Sequence, residues 1–76
     1  MADKTKLRKV LLESAQAQRK TLSERQLTEA TEQLVKKGSV TREDLRQVGR
    51  SVAADPEIFA VVDTGKVNDI LTGGKN

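Results

Sequence analysis

The chain has 76 residues, with 14 Lys and Arg against 11 Asp and Glu, and it contains a single aromatic residue, Phe59. Because Cys and His are both missing, disulfides, thiolate metal sites, thiol nucleophiles and imidazole bases are excluded. No stretch of apolar residues approaches the roughly 18 that a membrane span needs, and none resembles a secretory signal. We therefore expect a cytoplasmic protein that uses no membrane, metal or cofactor.

A chain of this length is predicted to form one domain. We expect this single helical domain to cover residues 1–76, with short mobile tails at 1–3 and 72–76. So small a core leaves little spare stability, and a homodimer or a partner protein could complete it.

The first periodic segment, from about Lys4 to Lys20, places its apolar residues at helical spacing and predicts an amphipathic helix. The apolar stripe becomes polar at Ser14 and Gln18. We therefore expect the second half of this helix to pack less tightly than the first. Leu12 lies off the stripe and is expected to be exposed.

Capping patterns mark the next two helices. Ser23 and Gln26 have the spacing of a capping box, and Lys37 followed by Gly38 predicts that the second helix ends at about Lys37. Thr41 predicts the start of a third helix after a connection of about four residues. A glycine in the middle of that helix suggests a close helix crossing. The predicted core stripe of the third helix is Leu45, Val48, Gly49, Val52 and Ala53.

The C-terminal segment is predicted to be helical, with a hairpin as the alternative. Asp55 and Pro56 are typical of an N-cap and a first helical position, so a short helix is predicted over residues 56–62. The β-branched residues of this segment also fit a strand, and residues 63–65 would then form the turn of a hairpin. We favour the helix, followed by one closing helical turn that Gly73 ends.

Together these patterns predict an all-α fold, a small helical bundle of three main helices plus one or two short C-terminal helical turns. The single aromatic residue is expected near the centre of the bundle. The predicted core comprises Leu7, Leu11, Leu27, Leu34, Leu45, Val48, Val52, Phe59 and Leu71.

Two groups of basic residues are candidates for phosphate contacts. The spacing i, i+4, i+8 in the third helix aligns three guanidinium groups along one flank, and a basic run at the N-terminus could follow a phosphate backbone without reading bases. The alternative is structural, with arginine stems covering the edge of the core and lysines solvating a helix face. The predicted nucleic-acid-binding residues are Lys4, Lys6, Arg8, Lys9, Arg42, Arg46 and Arg50.

Residues 34–45, with the run Gly38-Ser39-Val40-Thr41-Arg42-Glu43-Asp44-Leu45, resemble the transition between the first two helices of a winged or three-helix DNA-binding domain. A strict helix-turn-helix register fails, because Leu34 falls where a small residue is needed and Lys37 where an apolar one is needed. In a winged arrangement the recognition helix would be residues 55–62, which carry two acids and no base. The third helix would therefore have to contact DNA instead.

No catalytic set is recognisable, and we do not expect an enzyme. We expect a small DNA-binding or accessory regulatory protein whose partner is duplex DNA. The alternative is a protein–protein interaction module, such as an adaptor or an inhibitor of a larger machine. That module would act through an exposed apolar flank around Leu12 and Ala17.

Overall fold

A computed structural model describes residues 3–73, which form five α-helices and no strand. The predicted all-α fold is confirmed, with three longer helices followed by two shorter ones. No helix within residues 3–73 is both long and apolar enough to cross a membrane. The helices are α1 (Lys4–Ala17), α2 (Glu24–Lys37), α3 (Arg42–Ser51), α4 (Pro56–Ala60) and α5 (Thr64–Leu71).

Each helix begins at a side chain that accepts a hydrogen bond from a backbone N–H of the first turn, which satisfies a donor that the helix itself leaves unpaired. The predicted capping box of α2 is present, and α3 has a second box in which Thr41 and Asp44 exchange hydrogen bonds. The five N-caps are Asp3, Ser23, Thr41, Asp55 and Asp63.

Part of each predicted tail belongs to a helix cap. Asp3 is the N-cap of α1, and Thr72 is the C-cap of α5. Gly73 follows with a φ of 92°, the backbone conformation expected of a glycine that ends a helix. Residues 1–2 and 74–76, on which the rest of the tail prediction falls, lie outside the described residues.

The prediction that the first helix continues to Lys20 is wrong, because α1 ends at Ala17. The chain leaves the helix through Arg19, whose φ is 58°. The Lys20 amide donates to the Ala15 carbonyl at 2.8 Å and the Arg19 amide to the Gln16 carbonyl at 3.0 Å, the two bonds of a Schellman motif. A left-handed conformation costs a residue other than glycine roughly 1–2 kcal/mol, so no local sequence signal indicated this end.

Helix α3 also ends at a residue in the left-handed conformation. Ala53 has a φ of 59°, and its neighbour Ala54 donates to the Gly49 carbonyl at 2.9 Å. Ala53 was predicted in the core stripe, which is wrong, since its left-handed conformation leaves it exposed. The Gln26 amide of the α2 capping box also donates to the carbonyls of Val52 and Ala53, at 3.4 and 3.2 Å, so one side chain links the start of α2 to the end of α3.

The C-terminal segment is helical, as favoured, and the hairpin is not formed. The first of its helices, α4, stops at Ala60, two residues before the predicted end, and the second, α5, is longer than one closing turn. The side chain of Asn68 on α5 accepts from the Val40 amide at 2.8 Å and donates to the Val40 carbonyl at 2.9 Å. The side-chain amide of Asn68 therefore binds α5 to the connection between α2 and α3.

Apart from Ala53, the core contains every residue that was predicted for it. Phe59 is completely buried at its centre, as expected. The helical C-terminus adds apolar side chains that the sequence analysis did not assign, among them Ile58, Val62 and Val67. The two C-terminal helices therefore complete the core of the domain.

Gly49 allows α3 and α4 to approach closely, as predicted. A Cβ atom at this position would lie 2.8 Å from Cδ1 and 3.2 Å from Cγ of Phe59. Both distances are shorter than an ordinary van der Waals contact between carbon atoms. Because Phe59 is completely buried, an added methyl group has to displace part of the core.

We expect Gly49→Ala to lower the free energy of unfolding by up to about 2 kcal/mol. Alanine gains about 1 kcal/mol in helix propensity, but overpacking a filled core typically costs 1–3 kcal/mol or more. Thermal unfolding followed by circular dichroism measures the change. Phe59→Leu in the same background should recover part of the loss, whereas a stabilised Gly49→Ala protein would contradict the close crossing.

Candidate nucleic-acid interface

The position of α4 decides which polar side chains remain available for binding. A helix of five residues forms few hydrogen bonds within itself, so most of its carbonyls need other donors. Side chains of α1 and of its C-cap residue supply two of them. Ser14 Oγ donates to the Ile58 carbonyl at 2.7 Å, and Gln18 Nε2 donates to the Glu57 carbonyl at 3.3 Å.

The expectation that the second half of α1 packs less tightly is therefore not what the structure shows. Ser14 and Gln18 interrupt the apolar stripe, but both are half-buried and hydrogen-bonded to α4. Ala15 between them is completely buried. The polar positions of the stripe thus mark where α1 binds the backbone of α4.

Arg42, the first residue of the predicted arginine stripe, also holds α4. Its guanidinium Nη1 donates to the carbonyl of Ala60, the last residue of that helix. A cation at the C-terminal end of a helix also interacts favourably with the helix dipole. Arg42 therefore has a structural role, but through its guanidinium group and not through the methylene stem considered in the sequence analysis.

Arg46 and Arg50 extend from the same flank of α3 and are exposed. Their Cα atoms are separated by about 6 Å along the helix axis, one turn. Arg46 lies 3.8 Å from Glu43 of its own helix, a long and solvent-exposed contact of the kind that contributes little. Arg50 has no ion pair within residues 3–73.

The N-terminal basic run divides in a similar way. Arg8 is half-buried and donates to Glu24 at 2.6 Å and to Thr28 at 3.3 Å, which ties α1 to α2. Three lysines of the run are exposed and form no ion pair in the described part of the chain. They are Lys4, Lys6 and Lys9.

The two basic groups lie on helices that are not among each other's main contacts. The main contacts of α1 are with α2, α4 and α5, whereas those of α3 are with α4 and α2. The exposed lysines and the exposed arginines therefore belong to two helices that share α2 and α4 as neighbours.

The two aspartates whose pKa values are lowered both stabilise the start of a helix. Hydrogen bonding by the Thr41 backbone N–H lowers the pKa of Asp44, and the positive charge of Lys37 contributes. The Lys20 ammonium, 2.7 Å from Asp55, lowers the pKa of that carboxyl, together with the Glu57 amide. Both carboxylates cap helices, and no group of acidic side chains within residues 3–73 is arranged to hold a metal ion.

The exposed apolar residues do not form the flank predicted for the alternative function. Leu12 and Ala17 are both exposed, but five positions in a helix correspond to a rotation of about 140°, so they face different directions. Leu12 and Ala17 therefore do not share one face of α1. The other exposed large hydrophobic residue, Val61, follows the end of α4.

An open, shallow depression of the surface near the end of α2 was not identified from the sequence. It has a volume of about 250 Å³ and is lined by Gln33, Lys36 and Lys37. The sequence analysis assigned the two lysines only to the end of a helix. The only signal in the sequence was the adjacent pair of lysines, and that pair is equally typical of a helix C-terminus.

No protein-family model matches the chain, and comparison with curated proteins and with solved structures found no match. The functional interpretation therefore depends on the side chains described above.

We expect the three arginines of the stripe to respond differently to substitution. Arg42→Ala leaves the half-buried Ala60 carbonyl without its donor and should lower the free energy of unfolding by about 1–3 kcal/mol. Arg46→Ala and Arg50→Ala should change it by less than about 0.5 kcal/mol, because within residues 3–73 neither guanidinium donates a hydrogen bond to another helix. Thermal unfolding of the three variants measures the difference. Equal losses in all three would mean that the whole stripe is structural.

Proposed function

We propose that this protein is a small non-enzymatic DNA-binding protein that contacts the phosphates of duplex DNA. The observation that carries the proposal is the exposed pair Arg46 and Arg50 on α3, one helical turn apart. Two guanidinium groups on a rigid helix are suited to charge-assisted hydrogen bonds with phosphate oxygens. Arg42 and Arg8 are left out of this contact surface, because both already bind within the fold.

The exposed lysines of α1 support the proposal through their charge. Lys4, Lys6 and Lys9 stand within residues 1–20, which carry a formal charge of +4 from six basic and two acidic side chains. A concentration of positive charge attracts a polyanion and speeds its association. These lysines would therefore contribute chiefly at low salt.

The ligand we propose is a duplex because the chain has nothing on which exposed bases could stack. Proteins that bind single strands commonly stack bases on aromatic side chains. The only aromatic residue here is Phe59, and it is completely buried. Contacts to phosphates alone carry no base information, so we expect binding that tolerates different sequences.

The test is a titration of nitrogen-15-labelled protein with a short generic duplex, followed by amide correlation spectra at low and at physiological salt. We expect shifts in residues 4–9 and 46–50 that shrink as salt rises. Arg46→Gln with Arg50→Gln should weaken binding and reduce the slope of log affinity against log salt by about 2, because each lost phosphate contact reduces it by about 1.

The matched control also removes two exposed positive charges, in Arg25→Gln with Lys66→Gln. Arg25 pairs only with Glu29 on its own helix, and Lys66 is exposed on α5. The control should retain most of the affinity of the wild-type protein. If both double variants weaken binding equally, the affinity depends on net charge and not on the arginines of α3. Wild-type spectra that stay unchanged when the duplex is added at low salt would refute DNA binding.

The role of the lysines is better tested by substitution than by deletion of the N-terminus. Removing residues 1–9 would also remove Leu7, which is completely buried, and the Arg8 contact with Glu24. Glutamine at positions 4, 6 and 9 removes the charge while retaining the helix. Under the proposal this triple variant loses affinity at low salt and differs less from wild type at physiological salt.

A further inference from the structure

The connection between α4 and α5 exposes one apolar side chain. Val61 is the C-cap residue of α4 and is 57% exposed, although Ala60 before it and Val62 after it are buried. Leu12, the other exposed large hydrophobic residue within residues 3–73, is 37% exposed. Single exposed hydrophobic residues are common on protein surfaces, so the surroundings of Val61 decide whether it has a function.

Helix α4 packs along the flank of α3 that carries the arginines. The ring of Phe59 lies against Gly49, in the middle of α3. The carbonyl of Ala60 accepts a hydrogen bond from the guanidinium of Arg42, at the start of α3. These two α3 positions are separated by about 10 Å along the helix axis, and Arg46 lies between them.

The rotation of the helix also places the arginines on the side of α3 that α4 borders. An α-helix turns by about 100° per residue, so Arg42 lies about 20° and Arg46 about 60° around the axis from Gly49. Ser51 donates to Gln33 of α2 at 2.8 Å, and it lies about 160° around the axis from Gly49. The arginine flank and the end of α4 therefore form one continuous surface, on the side of α3 away from Ser51.

Val61 lies at the border of this surface because of the contact that holds α4. The Ala60 carbonyl that accepts from Arg42 belongs to the peptide group that joins Ala60 to Val61. Arg42 is thus a positioning residue that holds the end of α4, and with it Val61, beside the exposed side chain of Arg46. The cationic flank therefore has an exposed apolar group at its edge.

We propose that Val61 makes an apolar contact with the duplex whose phosphates bind Arg46 and Arg50. This inference rests on the proposed function. A duplex carries two kinds of apolar group close to its phosphates, the hydrocarbon edge of deoxyribose and the 5-methyl group of thymine. Valine is suited to such a contact, because its branched side chain has one rotatable bond and loses little entropy when it is held.

The acids near Val61 in the chain indicate that its contact is with an uncharged part of the duplex. Glu57 and Asp63 are both exposed and lie within four positions of Val61. Asp63 also accepts from the Lys66 backbone N–H at 3.1 Å as the N-cap of α5. A phosphate is repelled by carboxylates, so the phosphates are expected at Arg46 and Arg50 and not at Val61.

Val61→Thr is the direct test, because threonine keeps the branched shape and replaces one methyl group by a hydroxyl. It should weaken duplex binding about fourfold, the effect of one buried methyl group. Since no charge changes, the slope of log affinity against log salt should stay the same, whereas Arg46→Gln with Arg50→Gln reduces it. Fluorescence anisotropy of a labelled A·T-rich duplex measures the affinities.

Leu12→Gln is the matched control, because it removes the other exposed large hydrophobic side chain of residues 3–73. It should bind the duplex as tightly as the wild-type protein does. Thermal unfolding checks that both variants remain folded. Wild-type affinity in Val61→Thr, or an equal loss in Leu12→Gln, would refute the contact.

A duplex with deoxyuridine in place of thymidine distinguishes the two apolar groups. If the contact is with the thymine methyl group, the wild-type protein binds this duplex more weakly and Val61→Thr binds both duplexes equally. If the contact is with deoxyribose, the wild-type protein binds both equally and Val61→Thr binds both more weakly.

Two outcomes separate this inference from the proposed function. If Val61→Thr has no effect while Arg46→Gln with Arg50→Gln lowers affinity, the Val61 contact fails and the proposed function stands. If the wild-type protein does not bind the duplex, both fail. Amide shifts around Val61 that grow with protein concentration in the absence of duplex would assign this side chain to contact between copies of the chain and would also refute the inference.

Discussion

The carbonyl groups of α4 impose the constraint on which the rest of the structure depends. Phe59 on this helix fills the centre of the core, yet the helix is too short to satisfy its own backbone. A buried carbonyl without a donor costs about 1–3 kcal/mol. Three carbonyls of α4 accept hydrogen bonds from side chains elsewhere: Glu57 from Gln18, Ile58 from Ser14 and Ala60 from Arg42. The need for these donors fixes how α1 and α3 pack against α4.

This constraint also determines which charges are available to a ligand. An arginine that donates to a helix end cannot at the same time serve a phosphate without giving up that contact. Arg42 donates to the carbonyl at the end of α4, and Arg8 on α1 forms an ion pair with Glu24 on α2. The proposed binding surface is therefore smaller than the set of basic residues in the sequence, and it is centred on the outward face of α3.

Local signals in the sequence were sufficient to predict the elements of the fold. N-caps such as Ser23 and Thr41, and Gly38 at the end of α2, satisfy backbone groups only a few residues away, so their effect can be inferred without knowledge of the tertiary structure. The core residues follow from helical periodicity. The ends of α1 and α3 could not be predicted, because Arg19 and Ala53 adopt a conformation that their residue types disfavour.

The candidate site was less predictable because its contacts join distant parts of the chain. No residue near Ser14 in the sequence indicates that its hydroxyl donates to the Ile58 carbonyl, 44 positions away. In the same way, no residue near Asn68 indicates that its side chain bonds to the Val40 backbone. The spacing of Arg42, Arg46 and Arg50 correctly placed them on one flank, but spacing alone cannot distinguish a structural arginine from an exposed one.

Amide hydrogen exchange in Ser14→Ala is the most direct measurement of whether side-chain donors hold α4. Removing one hydrogen bond of about 1 kcal/mol should speed exchange of the Ile58 and Val62 amides about fivefold, while amides in the middle of α2 change less. Gln16→Ala, an exposed position on the same helix, is the control and should leave α4 unchanged. Wild-type exchange rates throughout α4 in the Ser14→Ala protein would contradict the account.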